Sequence, residues 1–406
     1  MSSTNQASEQ IDSHDLGYLE YIAEQRPRVY FSLVLCAALL GYAVLLLPPV
    51  MAFIGFYQLS TIFDNGSHSV DYQSAIIWYA VTVLSISISY HILSLKFGTK
   101  IGTHIKDKRA PELHQFIESH NTGRFPLKLH SVQLTNRFEI KLIKIPTTGI
   151  PLWFENVLLI GFPLMQTLPK KHFDCAASAK LMQYSNASHL VTRWLAQLTY
   201  TWSLYPETLK ARGRIDDHLL HLFFSWYVPF YKSISRYIVQ QSDMLGEQYT
   251  LIKYNDQDIL EGIEAQAVSE YFLQKYFWPN TIKRLNNSDS SSSRPLQPYS
   301  KLPTSLDRNL TPATVNKILW RLDDKQYASE AAPLGKRISN IGHSRIKPLK
   351  VWSGTAGKHY FGESYPRVVS TMNNHWLAAN KPSCSTPSQE TAAQHKQKLQ
   401  LNTIKA

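Results

Sequence analysis

His218 and His221 stand three residues apart behind Asp216 and Asp217, in a stretch with helical apolar spacing. Two imidazoles one turn apart can begin a transition-metal site, but such a site takes three or more ligands and spacing assigns no third. The pair therefore reads as surface or packing histidines. His172 and Cys175 repeat that spacing and share the same deficit. Lys180 with Ser178 or Ser185 would supply a base and a nucleophile, yet Ser178 and Lys180, two apart on a helix, face different ways. Nowhere is a histidine followed by a glutamate, so the chain holds no His-Glu pair on which a zinc-bound water could be deprotonated.

The elements that would position these residues centre on Phe154 to Ser185. Val157-Leu158-Leu159-Ile160 reads as a buried strand, Gly161-Phe162-Pro163-Leu164 as a turn, and Pro169 opens a helix. Ahead of it, Leu127–Leu134, Arg137–Ile145 and Trp153–Ile160 predict a small sheet of hairpin-connected strands. In the second of these, Phe138, Ile140 and Leu142 alternate with Glu139 and Lys141. Helical patterns follow at Ser188–Trp202, Ile215–Tyr249 and Gln257–Phe277, the first capped by Ser188 and the second kinked at Pro229. Residues 286–310 are Ser/Pro-rich and predict a loop, residues 311–378 complete the core with helices, and 379–406 read as a disordered tail.

Composition places this core at a membrane. The 406 residues carry 42 Lys and Arg against 30 Asp and Glu, a net charge of +12, without a basic run or nucleic-acid-binding signature. Anionic lipid is the partner this favours over nucleic acid. Residues 1–28 are polar and lack a signal-peptide pattern, and no charge occurs from Val29 to Phe63. Spans near 30–56 and 73–95 form a transmembrane hairpin, with Pro48-Pro49 expected to kink or break the first near one end. Arg26 and Arg28 before it, and Lys96 to Arg109 after it, place both termini and the domain of residues 96–285 in the cytoplasm, at the inner membrane if the cell is bacterial. His91 is read as an interfacial side chain at the end of the second span. Cys36, Cys175 and Cys384 have no paired spacing, and Cys36 is expected to be a small buried hydrophobe.

With Pro146-Thr147-Thr148-Gly149 and then Asn156 through Leu164, the layout resembles the HtpX-like family of membrane zinc metallopeptidases, relatives of the CAAX prenyl proteases. The resemblance implies an α+β, mainly helical fold: an N-terminal transmembrane hairpin followed by a gluzincin-like metallopeptidase domain with a small sheet. Carried over by spacing, the first zinc histidine becomes Ala179, the general-base glutamate Lys180 and the second histidine Gln183. The third ligand, a glutamate three or four residues before Asp243, becomes Gln240 or Val239. The late His-Pro pair is replaced in Ala331-Ala332-Pro333-Leu334, while Arg337 persists, as do the scaffold positions Asn156, Gly161, Pro163 and Asp243. Alanine cannot ligate, and an ammonium with a reference pKa near ~10.4 is no general base at neutral pH. The expectation is a catalytically inactive relative without a cofactor. It would bind extended peptides or membrane proteins beside Arg137–Ile145, in a chaperone-like or regulatory role in membrane protein quality control. The alternative is an active metal-dependent endopeptidase holding zinc on non-standard ligands. A third reading is a purely structural tethered protein.

Overall fold

A strand as uniformly apolar as Val157–Ile160 must be covered on both faces. The computed structural model, which describes residues 12–64, 72–98, 101–121, 126–185, 190–214, 217–287, 296–323, 332–343 and 355–380, does this by setting a four-stranded sheet between two helical layers. Its strands are β1 (Thr103–His104), β2 (Leu129–Thr135), β3 (Ile140–Pro146) and β4 (Phe154–Gly161), in the order β1-β2-β4-β3. The helices are α1 (Asp12–Gln25), α2 (Pro27–Asp64), α3 (Tyr72–Leu93), α4 (Pro111–His120), α5 (Phe162–Thr167), α6 (Lys170–Ser185), α7 (Leu190–Arg212) and α8 (His218–Thr250). Beyond them come α9 (Asp256–Phe272), α10 (Trp278–Asn287), α11 (Pro298–Asn309), α12 (Pro312–Asp323), α13 (Leu334–Asn340), α14 (Ala356–Phe361) and α15 (Tyr365–Asn380). The protein is thus mainly helical with one small mixed sheet.

The sheet differs from a run of hairpins. β3 and β4 pair antiparallel, but β2 runs parallel to β4 rather than pairing with β3. The reason is burial: β4, apolar on both faces, takes an interior position and leaves β3 at the edge. Period-two alternation then assigns side chains to two cores. Leu158 and Ile160 join Ile140 and Leu142 in one, beneath α4, α6 and α9. Val157 and Leu159 join Ile143 and Ile145 in the other, against α2, α7 and α8.

In the second layer, α2 and α3 are long and apolar enough to cross a bilayer, with an 18-residue stretch of mean hydropathy 2.3 within Pro27–Ile62 and one of 1.7 within Tyr72–Leu93. The prolines do not end the first helix, which continues through Pro48 and Pro49 to Asp64. The outer surfaces of α2 and α3 expose Phe53, Phe56, Ile76 and Leu84. Cys36 also lies on this exposed surface of α2, not in the protein core. The opposite face is buried on α7 and α8, where Tyr227 Oη donates to Ala37 O at 2.8 Å and Trp202, Tyr205 and Phe224 stack behind it. Arg212 at the end of α7 donates to His91 O at 3.1 Å and Ser94 Oγ at 2.9 Å. A cation thereby satisfies the carbonyl end of α3, the negative pole of its dipole.

Two further departures have local causes. The helix predicted across Gln257–Phe277 widens into a π turn at Leu273–Phe277 before α10, since Pro279 has no N–H to continue the regular ladder. Helix α11 occupies the second half of the stretch whose Ser/Pro content predicts a loop. Tyr299, Leu302 and Leu306 form one buried stripe on it, and Pro298 sits at the helix start, where proline is tolerated. The Ser188 cap, Asp216, Ala331, Cys384 and the tail from Lys381 lie outside the described residues.

Candidate functional site

Gly161 lets strand, turn and helix meet. A Cβ there would lie 2.1 Å from Arg137 O and 2.8 Å from Glu139 N, so only glycine lets the chain entering β3 cross so close. Pro163, buried in the first turn of α5, suits a position whose N–H has no helical partner. Asn156 plays a different part: its Nδ2 donates to Lys128 O at 2.9 Å and its N–H to His130 Nδ1 at 3.1 Å, tying β4 to β2 away from the cleft described next.

The same crossing sets the polarity of the strand edge. Gly161 N–H donates to Glu139 O at 2.7 Å, so Glu139, and by strand periodicity Lys141 and Ile143, turn their main-chain groups toward β4. Ile140, Leu142 and Lys144 turn theirs outward. Lys144 O is capped by Thr201 Oγ at 3.2 Å, but Ile140 and Leu142 carry no such bond among the described residues. At Ile140 and Lys141 the strand borders a cleft of about 910 Å³. Its apolar wall comes from α6 and α9, with Ala176, Ile259 and Ile263, and its opposite wall from α7 and α8, with Tyr200, Lys232 and Arg236.

At the floor of this cleft the carried-over positions converge. Helix α6 is buried along most of its length, so its polar side chains must find partners. Lys180 Nζ lies 2.6 Å from Asp243 Oδ1. Gln183 Nε2 donates to Ser242 Oγ at 2.7 Å and to Asp243 Oδ1 at 3.0 Å. Ala179 packs on Gly246 of α8, where a Cβ would stand 2.5 Å from Ala179 O and 2.9 Å from Gln183 Cβ. Ala179, Lys180, Gln183 and Asp243 are thus brought together.

Gln240 is not part of that group. It is buried on α8 away from the cleft, while Val239 beside it lines the cleft. The carboxylate that spacing overlooked is Glu247, one turn beyond Asp243. Arg337 Nε donates to Glu247 Oε1 at 2.7 Å, and Arg337 Nη2 to Gln266 Oε1 at 3.3 Å. Burial holds the Glu247 carboxyl above its ordinary range, against the opposing pull of Arg337. Its i, i+4 relation to Asp243 was the available signal, since both must share a helix face.

The other candidates separate. His218 is exposed and His221 half-buried at the start of α8, and among the described residues no three His, Cys, Asp or Glu side chains come close enough to hold a metal ion. His172 Nε2 faces Glu261 at 3.7 Å, and burial pushes the Cys175 thiol up to about 12, away from thiolate chemistry. Ser178 Oγ bonds Tyr254 Oη at 3.1 Å while Lys180 turns to Asp243, so the two form no dyad. Ser185 is fully buried.

Matched against protein-family models, curated proteins and solved structures, the chain finds no counterpart. The donors at the carried-over positions do not suit zinc. Ala179 offers none, an ammonium occupies Asp243, and Gln183 presents N–H to the same carboxylate; its Oε1, without a partner among the described residues, is one acceptor where zinc takes four ligands.

Proposed function

We propose that the protein is a membrane-anchored peptide-binding relative of the HtpX-like peptidases, built on a gluzincin-like core and catalytically inactive. The observation that carries this reading is the outward edge of β3, which meets the cleft at Ile140, together with the Lys180–Asp243 pair where the family's chemistry would stand. An added strand gains main-chain hydrogen bonds without any catalytic group. Anchoring follows from α2 and α3, with the flanking cations holding the core on the cytoplasmic side. A chaperone-like or regulatory role toward membrane proteins fits a cleft that holds extended chain and does not cut it.

The test is zinc content and proteolysis of the full chain in lipid nanodiscs. Folded protein with no bound zinc and no cleavage of unfolded substrates agrees; about one equivalent of zinc with chelator-sensitive cleavage sinks the reading. Hydrogen exchange gives a second readout. The amides of Ile140 and Leu142 are expected to exchange faster than those of Lys141 and Ile143, and to slow on addition of an unfolded peptide that pairs with the edge. Equal rates, unchanged by peptide, would remove the edge from consideration.

A further inference from the structure

One end of the core surrounds the point where α3 stops. Helix α3 has 22 residues, and its reach of about 33 Å matches a hydrocarbon layer of about 30 Å. Helix α2 has 38 and runs well past it. A Cβ on Gly55 would stand 2.2 Å from Thr82 Oγ1, so the two helices touch there. Counting along the antiparallel pair from that contact sets Leu93, the last residue of α3, level with Val44 of α2. Residues 27–43 of α2 continue into the core.

Two other elements reach the same level. Tyr30 Oη donates to Ile234 O and Tyr227 Oη to Ala37 O, an antiparallel register that brings Leu219, in the first turn of α8, level with Leu45. The turn between β3 and β4 is held there by Tyr42 Oη, which donates to Pro151 O at 3.2 Å, and by Gly149, where a Cβ would stand 1.7 Å from Ile92 O. Both elements turn apolar side chains outward. Leu219 is 79%, Leu222 63% and Trp226 59% exposed on α8, while Leu152 is 57% and Trp153 66% exposed on the turn. Helical side chains lean toward the N-terminus, which directs Trp226 back to the end of α3. Lys96, three residues beyond α3, is exposed, as are Lys210 and Arg214 on either side of the Arg212 that bonds His91 O.

We infer that this end of the core is a second membrane contact, seated in the lipid–water interface of the leaflet on its own side. The three leucines enter the acyl boundary, the two tryptophans sit among the headgroups, and the three exposed cations reach lipid phosphates. Lipid fits this face better than a second copy because the apolar side chains share one level, as a planar surface requires. They also continue the exposed faces of α2 and α3 at Leu46, Leu47 and Leu93. This contact rests on the anchoring by α2 and α3 proposed above, and it keeps the core from swinging about the hairpin.

Tryptophan fluorescence of the full chain tests it, in nanodiscs of phosphatidylcholine brominated either near the headgroup or near the chain ends. Subtracting Trp153→Phe or Trp226→Phe from wild type isolates each ring, and both variants keep an apolar side chain in place. Each signal is expected to fall about twofold with the shallow bromines and less with the deep ones, as burial about 5–10 Å into the headgroup and acyl boundary requires. Trp320→Phe supplies the control: Trp320 is 78% exposed on α12, whose Val315 and Leu319 belong to the core on the other face of the sheet, and its signal should not change. Trp78→Phe reports on α3 itself. Quenching of Trp78 with none at Trp153 and Trp226 overturns the second contact and leaves the anchoring standing. If Trp78 also escapes quenching, the anchoring falls with it. Unquenched Trp153 and Trp226 in discs that hold two chains would give the face to a second copy and overturn the lipid contact.

Discussion

Replacing Arg337 by methionine is expected to destabilise the core by about 3–5 kcal/mol, the loss seen when one partner of a buried ion pair is removed. Glu247 is only 7% exposed, and Arg337 is its one cationic partner among the described hydrogen bonds and ion pairs. Without the guanidinium the carboxylate must stay charged in a low dielectric or take up a proton. The pH dependence follows. A carboxyl whose folded pKa is raised binds more protons folded than unfolded, so its contribution is fully present below the unfolded value near ~4.3 and is lost as pH rises through the folded one. Losing Arg337 raises the folded value further. The variant should therefore be most impaired at neutral pH and closest to wild type in acid. Converting Glu247 to methionine as well should recover most of the loss, because the uncompensated charge goes with it. Urea unfolding of the three proteins at neutral and acidic pH decides this: a small, pH-independent loss in the single variant would mean the pair is not buried as a charge pair.

The pair also marks what could and could not be read from sequence. The two apolar helices and β4 were legible, since each is written as an uninterrupted run of apolar residues. Lys180 and Asp243 were both singled out, but their partnership was not, because 62 intervening positions hide which faces of α6 and α8 meet. Gly246 makes that meeting possible and has no periodic signature. Gln240 was chosen by counting back from Asp243, whereas the interface counts forward to Glu247. The strand order was equally hidden, because it depends on β2 returning parallel beside β4 through long-range pairing. Helix α11 was missed for the opposite reason: its apolar stripe is present in the sequence, but its Ser/Pro content obscures it.

Gly161→Val is the second change with a large expected effect, and it connects stability to capture. The nearest atoms to the new Cβ are backbone, Arg137 O at 2.1 Å and Glu139 N at 2.8 Å, so no side chain can rotate away. Either β4 or the entry to β3 must move. Because Ile160 opposite Ile140 is fixed by the register of the whole hairpin and buried in the core, the segment Arg137–Glu139 is the part able to yield. Overpacking of this kind costs about 1–3 kcal/mol or more, and here the displaced atoms border the cleft. The variant should lose both unfolding free energy and peptide binding, and at matched folded fraction binding should still be reduced by an order of magnitude. Gly98→Ala is the control: among the described residues no atom beyond its chain neighbours lies within 4 Å of its Cβ, and its stability should stay within about 0.5 kcal/mol of wild type. A Gly161→Val protein that unfolds earlier yet binds peptide normally when folded would place the capture surface elsewhere than the β3 edge. One that loses binding while its core remains folded would tie the ligand to the strand that Gly161 allows to cross.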